Sequence, residues 1–542
     1  MQDEIGRAAE QEPMRWNGWG DPAKAKELPR AVRALIPLLL GRVRRPAPPP
    51  SLAEVRVRPS ALTDDDRAAF AAVVGVDGVD HADEARIRHA GGRSTPDLLR
   101  RREHEQRVPD GVVLPADHAQ VMACLAVAGE RDIAVIPYGG GTSVVGALDP
   151  ERGPHRAVIS LDLRRLRGLL RVDALSGEAV FAAGTTGPDA EAQLAAHGLE
   201  LGHYPQSFRY ATIGGFAAAR SSGQNSAGYG RFDTMVTGLR VATPTGDLEL
   251  GRAPGSAAGP DLIRLFLGSE GIFGVITEVR VRVHPVPAER VFESWSFPDF
   301  AHGVDGLRRV AQHGAGPTVI RLSDEAETAV GLAQVGRIGK AIARGASVVT
   351  VYEGDDIDAR RARTTALLRA AGGTSSGAGD AEEWAAGRFD GPYLRDSLLD
   401  AGVFCETLET ATTWTGLATL KAAVETALRE GFRDAGARST VMCHVSHVYP
   451  TGASLYFTVL AGIRSDPLPV WTTVKARVND AILAHGGTIS HHHAVGRDHA
   501  PWLAQELGPA GMRILTAIKR ELDPQALLNP GAVIPAALPA GD

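Results

Sequence analysis

The pattern of apolar and polar positions changes near residue 288. Before that point, short apolar runs at residues 133–139, 157–163 and 277–283 lead into glycine-rich or charged turns, and residues 117–132 have helical periodicity. Short apolar runs bounded by turn residues predict strands, whereas apolar positions three or four residues apart predict an amphipathic helix. The first half of the chain is therefore predicted to be an α+β domain.

After residue 288, apolar runs at 291–297, 317–323 and 346–354 predict further strands, and residues 355–372 follow with an amphipathic helical pattern. The tail contains one more helical stretch, which an Asp-Pro pair ends before a final loop. We therefore predict an α+β fold in four parts: an N-terminal extension and helical region at 1–108, α+β domains at 109–287 and 288–509, and a C-terminal segment at 510–542.

Composition narrows the class of protein. The 542 residues carry a formal net charge of −6, without the basic excess that nucleic-acid binding needs, so no nucleic-acid partner is expected. The three cysteines are widely separated and have no CxxC spacing, which argues against a disulfide framework or a zinc site and favours a reducing compartment. The N-terminus lacks a signal-peptide pattern and no apolar run approaches the length of a bilayer span, so we expect a cytoplasmic protein.

One segment near the N-terminus is amphipathic. Residues 33–46 join a short apolar run to several arginines. Two interpretations stay open: a helix docked on the protein with a solvated basic end, or a peripheral contact with the anionic inner face of a membrane.

Glycine-rich tracts are the first sign of a ligand. A predicted strand ends in three consecutive glycines, residues 139–141, followed by Thr142 and Ser143. Glycine permits backbone conformations that bring main-chain N–H groups together around an anion. Two further tracts rich in glycine and small side chains lie at 203–248 and 265–288. Three such tracts in one domain indicate a large, phosphate-bearing ligand rather than ordinary turns.

The order and local sequence of these tracts resemble the FAD-binding domain of the vanillyl-alcohol oxidase and p-cresol methylhydroxylase flavoprotein superfamily. The resemblance implies a two-subdomain FAD-binding domain at 109–287, an α+β cap domain for the substrate at 288–509, and a segment at 510–542 that packs back on the FAD domain.

Some relatives of this superfamily attach FAD covalently through a histidine or cysteine. Residues 135–148 contain neither, which implies noncovalent FAD, although His203 lies nearby in the sequence. The cofactor-binding residues implied by the resemblance are Pro137, Tyr138, Gly139, Gly140, Gly141, Thr142, Ser143, Pro205, Gln206, Ser207, Phe208, Arg209, Tyr210, Ala211, Thr212, Ala218, Ala219, Arg220, Ser221, Glu270, Gly271, Ile272, Phe273, Gly274, Val275 and Ile276.

Three adjacent histidines, His491, His492 and His493, form the most unusual motif of the chain. In an extended segment their side chains would alternate between faces, so all three would not share one metal ion, and no HExxH or Cys/His ligand spacing accompanies them. We therefore predict no metal. Core or surface histidines and an anion-handling, proton-transferring site remain as interpretations, since imidazole exchanges protons near neutral pH.

The sequence SHHHAVG at residues 490–496 resembles the SHHHGVG signature of the alkylglycerone-phosphate synthase family, also called alkyldihydroxyacetonephosphate synthases. Stretches at 14–22, 317–324, 391–396 and 446–457 support the resemblance, which spans roughly residues 14–530. It implies the following site residues: Tyr456 as the proton-transferring tyrosine, Arg395 as the ligand of the substrate phosphate, Arg321 as an activity-critical arginine, and His491, His492 and His493 as the rest of the catalytic site.

The family reaction exchanges the acyl chain of 1-acyl-dihydroxyacetone phosphate for a long-chain alcohol through an adduct at flavin N5, with no net redox change. The resemblance thus implies a phosphorylated lipid-like substrate, a fatty alcohol and a homodimer; the composition suggests a bacterial member. Ala494 replaces the family's glycine after the histidines. Two alternatives are an FAD-dependent 2-hydroxyacid dehydrogenase of the D-lactate type, in which Arg321 and Arg395 would bind a carboxylate, and a flavin- or lipid-binding protein without turnover.

Overall fold

The computed structural model describes residues 13–25, 27–28, 30–314, 316–331 and 345–535. Three large sheets and two small two-stranded ones organise these residues. The small sheets pair Arg56–Val57 with Glu105–Gln106 and Leu199–Glu200 with His284–Pro285. Within the described part of the chain, no helix combines the length and the apolar character needed to cross a bilayer.

The first large sheet has four strands, in the order Val79–Asp80, Gly111–Val113, Ala157–Asp162 and Ile133–Tyr138. The last three are parallel. All six residues of Ala157–Asp162 are buried, as expected for a parallel strand covered on both faces. The strand Ile133–Tyr138 ends directly before the three glycines, so this sheet fixes where the glycine loop begins.

The second large sheet has five antiparallel strands, in the order Gly246–Leu250, Val236–Thr243, Val275–Arg282, Glu178–Ala182 and Leu169–Asp173. Its core contains Phe181, Phe216, Val241 and Val279. Together with the four-stranded sheet, which includes Val79–Asp80, it gives this part of the molecule two separate sheets.

The third large sheet has eight antiparallel strands, along the path Thr374–Gly377, Arg290–Phe297, Ala346–Glu353, Val319–Ser323, Arg438–Val445, Gly452–Gly462 and Phe404–Thr413, with Val448–Tyr449 paired to Gly452–Gly462. Side chains alternate along Gly452–Gly462. Leu455, Phe457 and Val459 lie in the hydrophobic core, whereas the intervening side chains face the opposite side. This alternation presents Tyr456 away from the core.

Helices cover these sheets. The eight-stranded sheet packs against Phe300–His313, Ile357–Ala370, Leu417–Asp434 and Pro467–Ala484, whose apolar faces supply Leu307, Leu368, Leu420 and Trp471 to its core. The described residues also form the α-helices Arg30–Leu40, Asp64–Val74, Asp83–Arg88, Thr95–Arg100, His118–Glu130, Gly187–Ala195, Ile213–Ala218, Ser226–Tyr229, Phe232–Met235, Leu262–Phe266, Glu325–Val330, Gly379–Gly387, Gly391–Asp400 and Ala500–Leu522.

The C-terminal part of the chain meets the four-stranded and five-stranded sheets. The helix Ala500–Leu522 is kinked at Gly508, before Pro509, and buries Leu503 and Met512 against the five-stranded sheet. Farther on, the Val135 N–H donates to the Leu527 carbonyl at 2.8 Å and the Asn529 N–H donates to the Val135 carbonyl at 2.9 Å. The chain end thus joins the edge of the four-stranded sheet, beside the glycine loop.

The predicted α+β class is confirmed, and the predicted strands at 133–139, 157–163, 291–297, 317–323 and 346–354 all exist with ends shifted by one or two residues. The boundaries of the four predicted segments stay predictions, and residues 1–12 and 536–542 of the first and last segments lie outside the described residues. The helix of the amphipathic segment is Arg30–Leu40, which packs Ile36 and Leu40 against Leu398 and Val403.

Candidate active site

A cavity of about 440 Å³ lies where residues of all three large sheets meet. Its size is within the range of small-molecule sites, on the order of 300–1,000 Å³. One wall consists of glycine-rich loops and small side chains; we call it the glycine wall. Another wall consists of side chains from the eight-stranded sheet with His447, His492 and His493; we call it the histidine wall.

The glycine wall fits FAD. All seven predicted residues from Pro137 to Ser143 line the cavity, as do the small side chains Ala218 and Ala219. A Cβ atom at Gly140 would overlap the backbone carbonyl of Tyr210, so only glycine lets the two segments approach this closely. The side-chain oxygen of Gln224, on the same cavity, is buried and has no hydrogen-bond partner among the described residues, which leaves an acceptor for a ligand N–H group.

Most other predicted cofactor residues also lie on the cavity wall: Pro205, Gln206, Ser207, Ala211, Thr212, Ser221, Glu270, Gly271, Gly274, Val275 and Ile276. Six do not. Phe208 and Tyr210 pack against other aromatic rings, Ile272 and Phe273 lie in the core of the five-stranded sheet, Arg220 pairs with Asp233, and Arg209 also lies off the wall. A sequence motif marks a segment, whereas the backbone decides which of its side chains face the ligand.

Tyr456 is the centre of the histidine wall. Its ring lies between two nearly parallel imidazoles, with centroids 4.8 Å from that of His444 and 5.8 Å from that of His492. Antiparallel pairing places His444 and Glu409 directly opposite Tyr456 on the two neighbouring strands. Burial raises the pKa of Tyr456 to about 12, so its hydroxyl stays protonated at neutral pH and is a proton donor.

The histidine triplet is folded around one carboxylate. Glu409 accepts hydrogen bonds from the backbone N–H groups of His491, His492 and His493 at 2.6–3.0 Å, and from the Ser490 hydroxyl at 2.9 Å. Burial opposes ionisation of Glu409, but the neighbouring histidines and backbone donors outweigh it and hold its pKa well below the ordinary value. The segment is therefore a series of bends rather than the extended strand considered above.

Four imidazoles at or beside the cavity, in addition to that of His444, are neutral at pH 7. Burial lowers the pKa of His492, lowers that of His493 to about 3, and lowers those of His447 and His491 well below the ordinary value. His492, His493 and His447 line the cavity, but the predicted catalytic residue His491 lies behind them. Neutral imidazoles are proton acceptors, so this wall combines acceptors with the hydroxyl donor of Tyr456.

One ring nitrogen each of His447, His491 and His492 lies within 4.8 Å of the other two, a spacing at which imidazoles can share a cation. These rings already have partners. The Nδ1 atoms of His491 and His492 share a hydrogen bond of 2.9 Å, His491 Nε2 is 2.5 Å from the Tyr449 hydroxyl, and His447 Nδ1 is 2.7 Å from the Ser226 hydroxyl. We interpret the trio as a hydrogen-bonded group, and the absence of a metal stays a prediction.

The two predicted arginines both line the cavity, but each already has an anionic partner. Arg321 donates to Glu327 at 2.6 Å, and Glu327 also contacts His444 at 3.2 Å. Burial would raise the pKa of Glu327, yet Arg321 and His444 lower it to about 2. The Nε atom of Arg321 is buried without a partner among the described residues, so this arginine retains one free donor toward a ligand.

Arg395 donates to the Asp396 carboxylate at 3.0 Å and to the Arg93 carbonyl at 2.6 Å. A second arginine, Arg388, lines the same cavity with its guanidinium over the rings of Tyr204 and Phe389, 4.7 and 5.0 Å from their centroids. The described residues give Arg388 no ion pair. The positive charge of Arg388 is therefore less compensated than that of Arg395.

Sequence reasoning missed Glu409, Glu327, His444, His447 and Arg388. His444 and His447 lie in the run CHVSHVYP just before the predicted tyrosine, so strand alternation could have placed His444 beside it. Glu409 is 82 residues from His491 and carries no local motif. Nothing in the sequence alone marks such a carboxylate as the partner of a distant loop.

Two domain families match the chain. Residues 109–250 match the FAD binding domain family, and residues 286–533 match the family of the C-terminal domain of FAD linked oxidases. The first match contains the glycine loop, and the second contains the eight-stranded sheet and the histidines.

Whole-chain comparisons agree with these families. Alkyldihydroxyacetonephosphate synthase of Trypanosoma brucei brucei is 31% identical over 97% of this chain and 93% of that protein, and its Dictyostelium discoideum counterpart is 30% identical over 96% and 93%. A solved alkyldihydroxyacetonephosphate synthase structure superposes with a TM-score of 0.81 at 28% identity, covering 97% of this chain and all of the other. p-Cresol methylhydroxylase, at 16% identity and a TM-score of 0.66 over 88% of this chain and 98% of the other, shares the fold.

Proposed function

The chain belongs to the alkyldihydroxyacetonephosphate synthase family, and on that premise we propose that it exchanges the acyl chain of an acylated dihydroxyacetone phosphate for a long-chain alcohol. It is an FAD-dependent enzyme, and the residues of the glycine wall hold the cofactor. We further propose that FAD is held noncovalently. The products are an ether lipid precursor and a fatty acid, with no net oxidation.

The observation that carries this proposal is the position of Tyr456. It stands between His444 and His492 in the cavity that the glycine loops also line, together with Arg321, Arg388 and Arg395. Acyl-for-alkyl exchange at a phosphorylated carbon skeleton needs a proton donor, a proton acceptor and an anion site within one cavity, and these residues supply all three.

FAD, when bound, supplies a nucleophilic ring nitrogen that allows the substitution to proceed in two easier steps. The chain's own residues handle the protons. Neutral His492 is the acceptor for the proton taken from the substrate carbon, because its pKa is lowered by burial. Tyr456 returns a proton, because its pKa of about 12 keeps the hydroxyl protonated. His493 and the Arg321–Glu327 pair hold these two groups and the departing oxygen in place.

We propose that Arg395 binds the substrate phosphate and that Arg388 assists it. Arg395 is already paired with Asp396, which compensates part of its charge, whereas Arg388 has an aromatic platform and no carboxylate partner among the described residues. A phosphate dianion can accept from both guanidinium groups, each of which offers a planar fork of donors.

The acyl and alkyl chains have an apolar path. The residues Leu394, Leu398, Cys405 and Leu460 line the cavity and belong to the hydrophobic cluster under the helix Arg30–Leu40.

On the outer side of that helix Leu38 and Leu39 are 73% and 60% exposed, and Arg42, Arg44 and Arg45 follow them. This supports peripheral contact with the inner face of a membrane by an otherwise cytoplasmic protein. The homodimer remains a proposal from the family resemblance.

The test is a direct assay with palmitoyl-dihydroxyacetone phosphate and hexadecanol, following fatty acid release and ether product by mass spectrometry. Ether formation without bleaching of the flavin absorbance supports the proposal. In parallel, anaerobic bleaching by D-lactate would identify a 2-hydroxyacid dehydrogenase instead. FAD-loaded protein that gives neither ether nor bleaching would contradict both enzyme activities for these substrates.

A further inference from the structure

A chain of hydrogen bonds leads away from the cavity behind His492. The Nδ1 atom of His492 is 2.9 Å from Nδ1 of His491, and Nε2 of His491 is 2.5 Å from the hydroxyl of Tyr449. His492 lines the cavity, His491 is 6% exposed behind it, and Tyr449 is only half-buried and precedes the exposed Pro450. This hydrogen-bonded path therefore leads from the cavity to a residue that is partly exposed to solvent.

Each contact in this chain holds one proton and has two arrangements. When Tyr449 donates to His491 Nε2, His491 donates from Nδ1 to His492, and the Nε2 atom of His492 carries a hydrogen. When the order is reversed, His492 donates to His491, His491 donates to Tyr449, and His492 Nε2 is a free acceptor. Passing between the two arrangements moves one proton along the chain without creating a lasting charge on any ring.

The proposed reaction requires such a path. An ester and an alcohol give an ether and a carboxylic acid, and at neutral pH the acid becomes a carboxylate plus one proton. One proton per turnover must therefore leave a cavity whose walls are mostly buried. The neighbouring groups hold the proton poorly: His447, which stacks on His491 at 5.0 Å, has a pKa that burial lowers well below the ordinary value, and the Arg231 guanidinium beside the Tyr449 hydroxyl repels a positive charge.

We propose that His492, His491 and Tyr449 form a proton path between the active-site cavity and solvent, in which His491 and Tyr449 act as relay residues. A proton enters at His492 Nε2, the Nδ1 proton of His492 passes to His491, the Nε2 proton of His491 passes to Tyr449, and the Tyr449 hydroxyl proton passes to water. Proton number is conserved at each step. This inference rests on the proposed function and assigns a role to His491, which does not line the cavity.

A substitution at Tyr449 can interrupt the relay without displacing the histidine triplet. Glu409 fixes the backbone of all three histidines, and its contacts do not involve Tyr449. Tyr449→Phe keeps the ring and removes only the hydroxyl that faces His491. Tyr229→Phe is the matched control, because it removes a half-buried tyrosine hydroxyl that contacts Glu200 and Glu353 away from the triplet.

The experiment uses FAD-loaded enzyme, hexadecanol and palmitoyl-dihydroxyacetone phosphate, and compares the rate of ether formation in the first turnover with the rate in steady state. In the wild-type enzyme the path removes the proton left on His492 after each turnover, so His492 is again an acceptor when the next substrate binds. In Tyr449→Phe the first turnover proceeds, but the proton remains on His492, and we expect the ratio of the steady-state rate to the first-turnover rate to fall at least about tenfold below that of the wild type. His491→Asn, which retains a hydrogen-bonding side chain but interrupts the relay, gives the same result by a second route.

Melting temperature and flavin content must match those of the wild type for either variant to count, and Tyr229→Phe should keep the wild-type ratio of steady-state to first-turnover rate. Tyr449→Phe and His491→Asn enzymes that form ether with the wild-type ratio of steady-state to first-turnover rate would overturn the relay while leaving the proposed function intact. A wild-type enzyme that forms no ether would overturn the proposed function, and the relay with it.

Discussion

The glycine wall and the histidine wall face the same cavity but are built by opposite means. On the glycine wall the backbone does the binding, and the important property of residues such as Gly140 is that they have no side chain. On the histidine wall the side chains do the chemistry, and their positions depend on strand pairing and on a buried carboxylate, Glu409. Cofactor binding on the glycine wall thus depends on residues that lack a side chain. The chemistry of the histidine wall depends on residues that are far apart in the sequence.

The two walls also differ in electrostatics. The histidine wall gathers neutral imidazoles and a protonated tyrosine around two carboxylates with lowered pKa values, Glu409 and Glu327. The loop at 137–143 has no carboxylate or cationic side chain and offers N–H groups instead. Substitutions on one wall should therefore change cofactor binding, and substitutions on the other should change turnover.

The largest expected effect is on the glycine wall. Gly140→Ala would place a Cβ against the backbone carbonyl of Tyr210, which has no flexible end that can move aside. We expect the purified variant to lose most of its bound FAD, measured as the ratio of flavin to protein absorbance. Gly379→Ala is the control, because a Cβ there meets open space. Full flavin content in Gly140→Ala would contradict the close approach of the two loops.

On the histidine wall, Tyr456→Phe should leave flavin content unchanged and lower the rate of ether formation by a factor of about 10²–10⁴, the usual contribution of a positioned acid or base. The ring, and with it the stacking on His444 and His492, is retained. Single-turnover rates with saturating substrate measure the effect. A variant that loses FAD along with activity would show that the two walls are not separable in this way.

The sequence predicted the glycine wall better than the histidine wall, for a physical reason. Residues from Pro137 to Ser143 form the end of a strand and the loop that follows it, so a local motif places all of them on the cavity. Phe208, Ile272 and Phe273 belong to equally recognisable segments but point into aromatic clusters or the core, because direction depends on the whole fold. The bends of the histidine triplet were unpredictable because they depend on Glu409, far away in the sequence.

The carboxylate that shapes the histidine wall can be tested by Glu409→Gln. One oxygen of the carboxylate becomes an NH₂ group facing backbone donors, so we expect a loss of about 1–3 kcal/mol in the free energy of unfolding at neutral pH. Because the folded pKa of Glu409 is lower than its ordinary value of 4.5, its stabilisation is complete above that pH and is lost as the pH falls through the folded pKa.

The difference in unfolding free energy between wild type and Glu409→Gln should therefore be constant from pH 7 to about pH 5 and shrink in more acidic buffer, as measured by urea denaturation. Glu103→Gln, at an exposed position, should show no such difference. A difference between wild type and Glu409→Gln that grew on acidification would mean that Glu409 is protonated in the folded protein.

The smallest effect concerns the turn that follows the histidines. Ala494 has a φ of 72°, in the left-handed region that favours glycine, the residue the family resemblance gives at this position. The strain costs roughly 1–2 kcal/mol, and the greater freedom of glycine in the unfolded chain offsets roughly 0.4–1 kcal/mol. We therefore expect Ala494→Gly to stabilise the protein by about 0.5–1 kcal/mol. Ala422→Gly, on the exposed face of the helix Leu417–Asp434, should instead destabilise it by about 1 kcal/mol. If both variants were destabilised alike, the backbone at residue 494 would not be left-handed in solution.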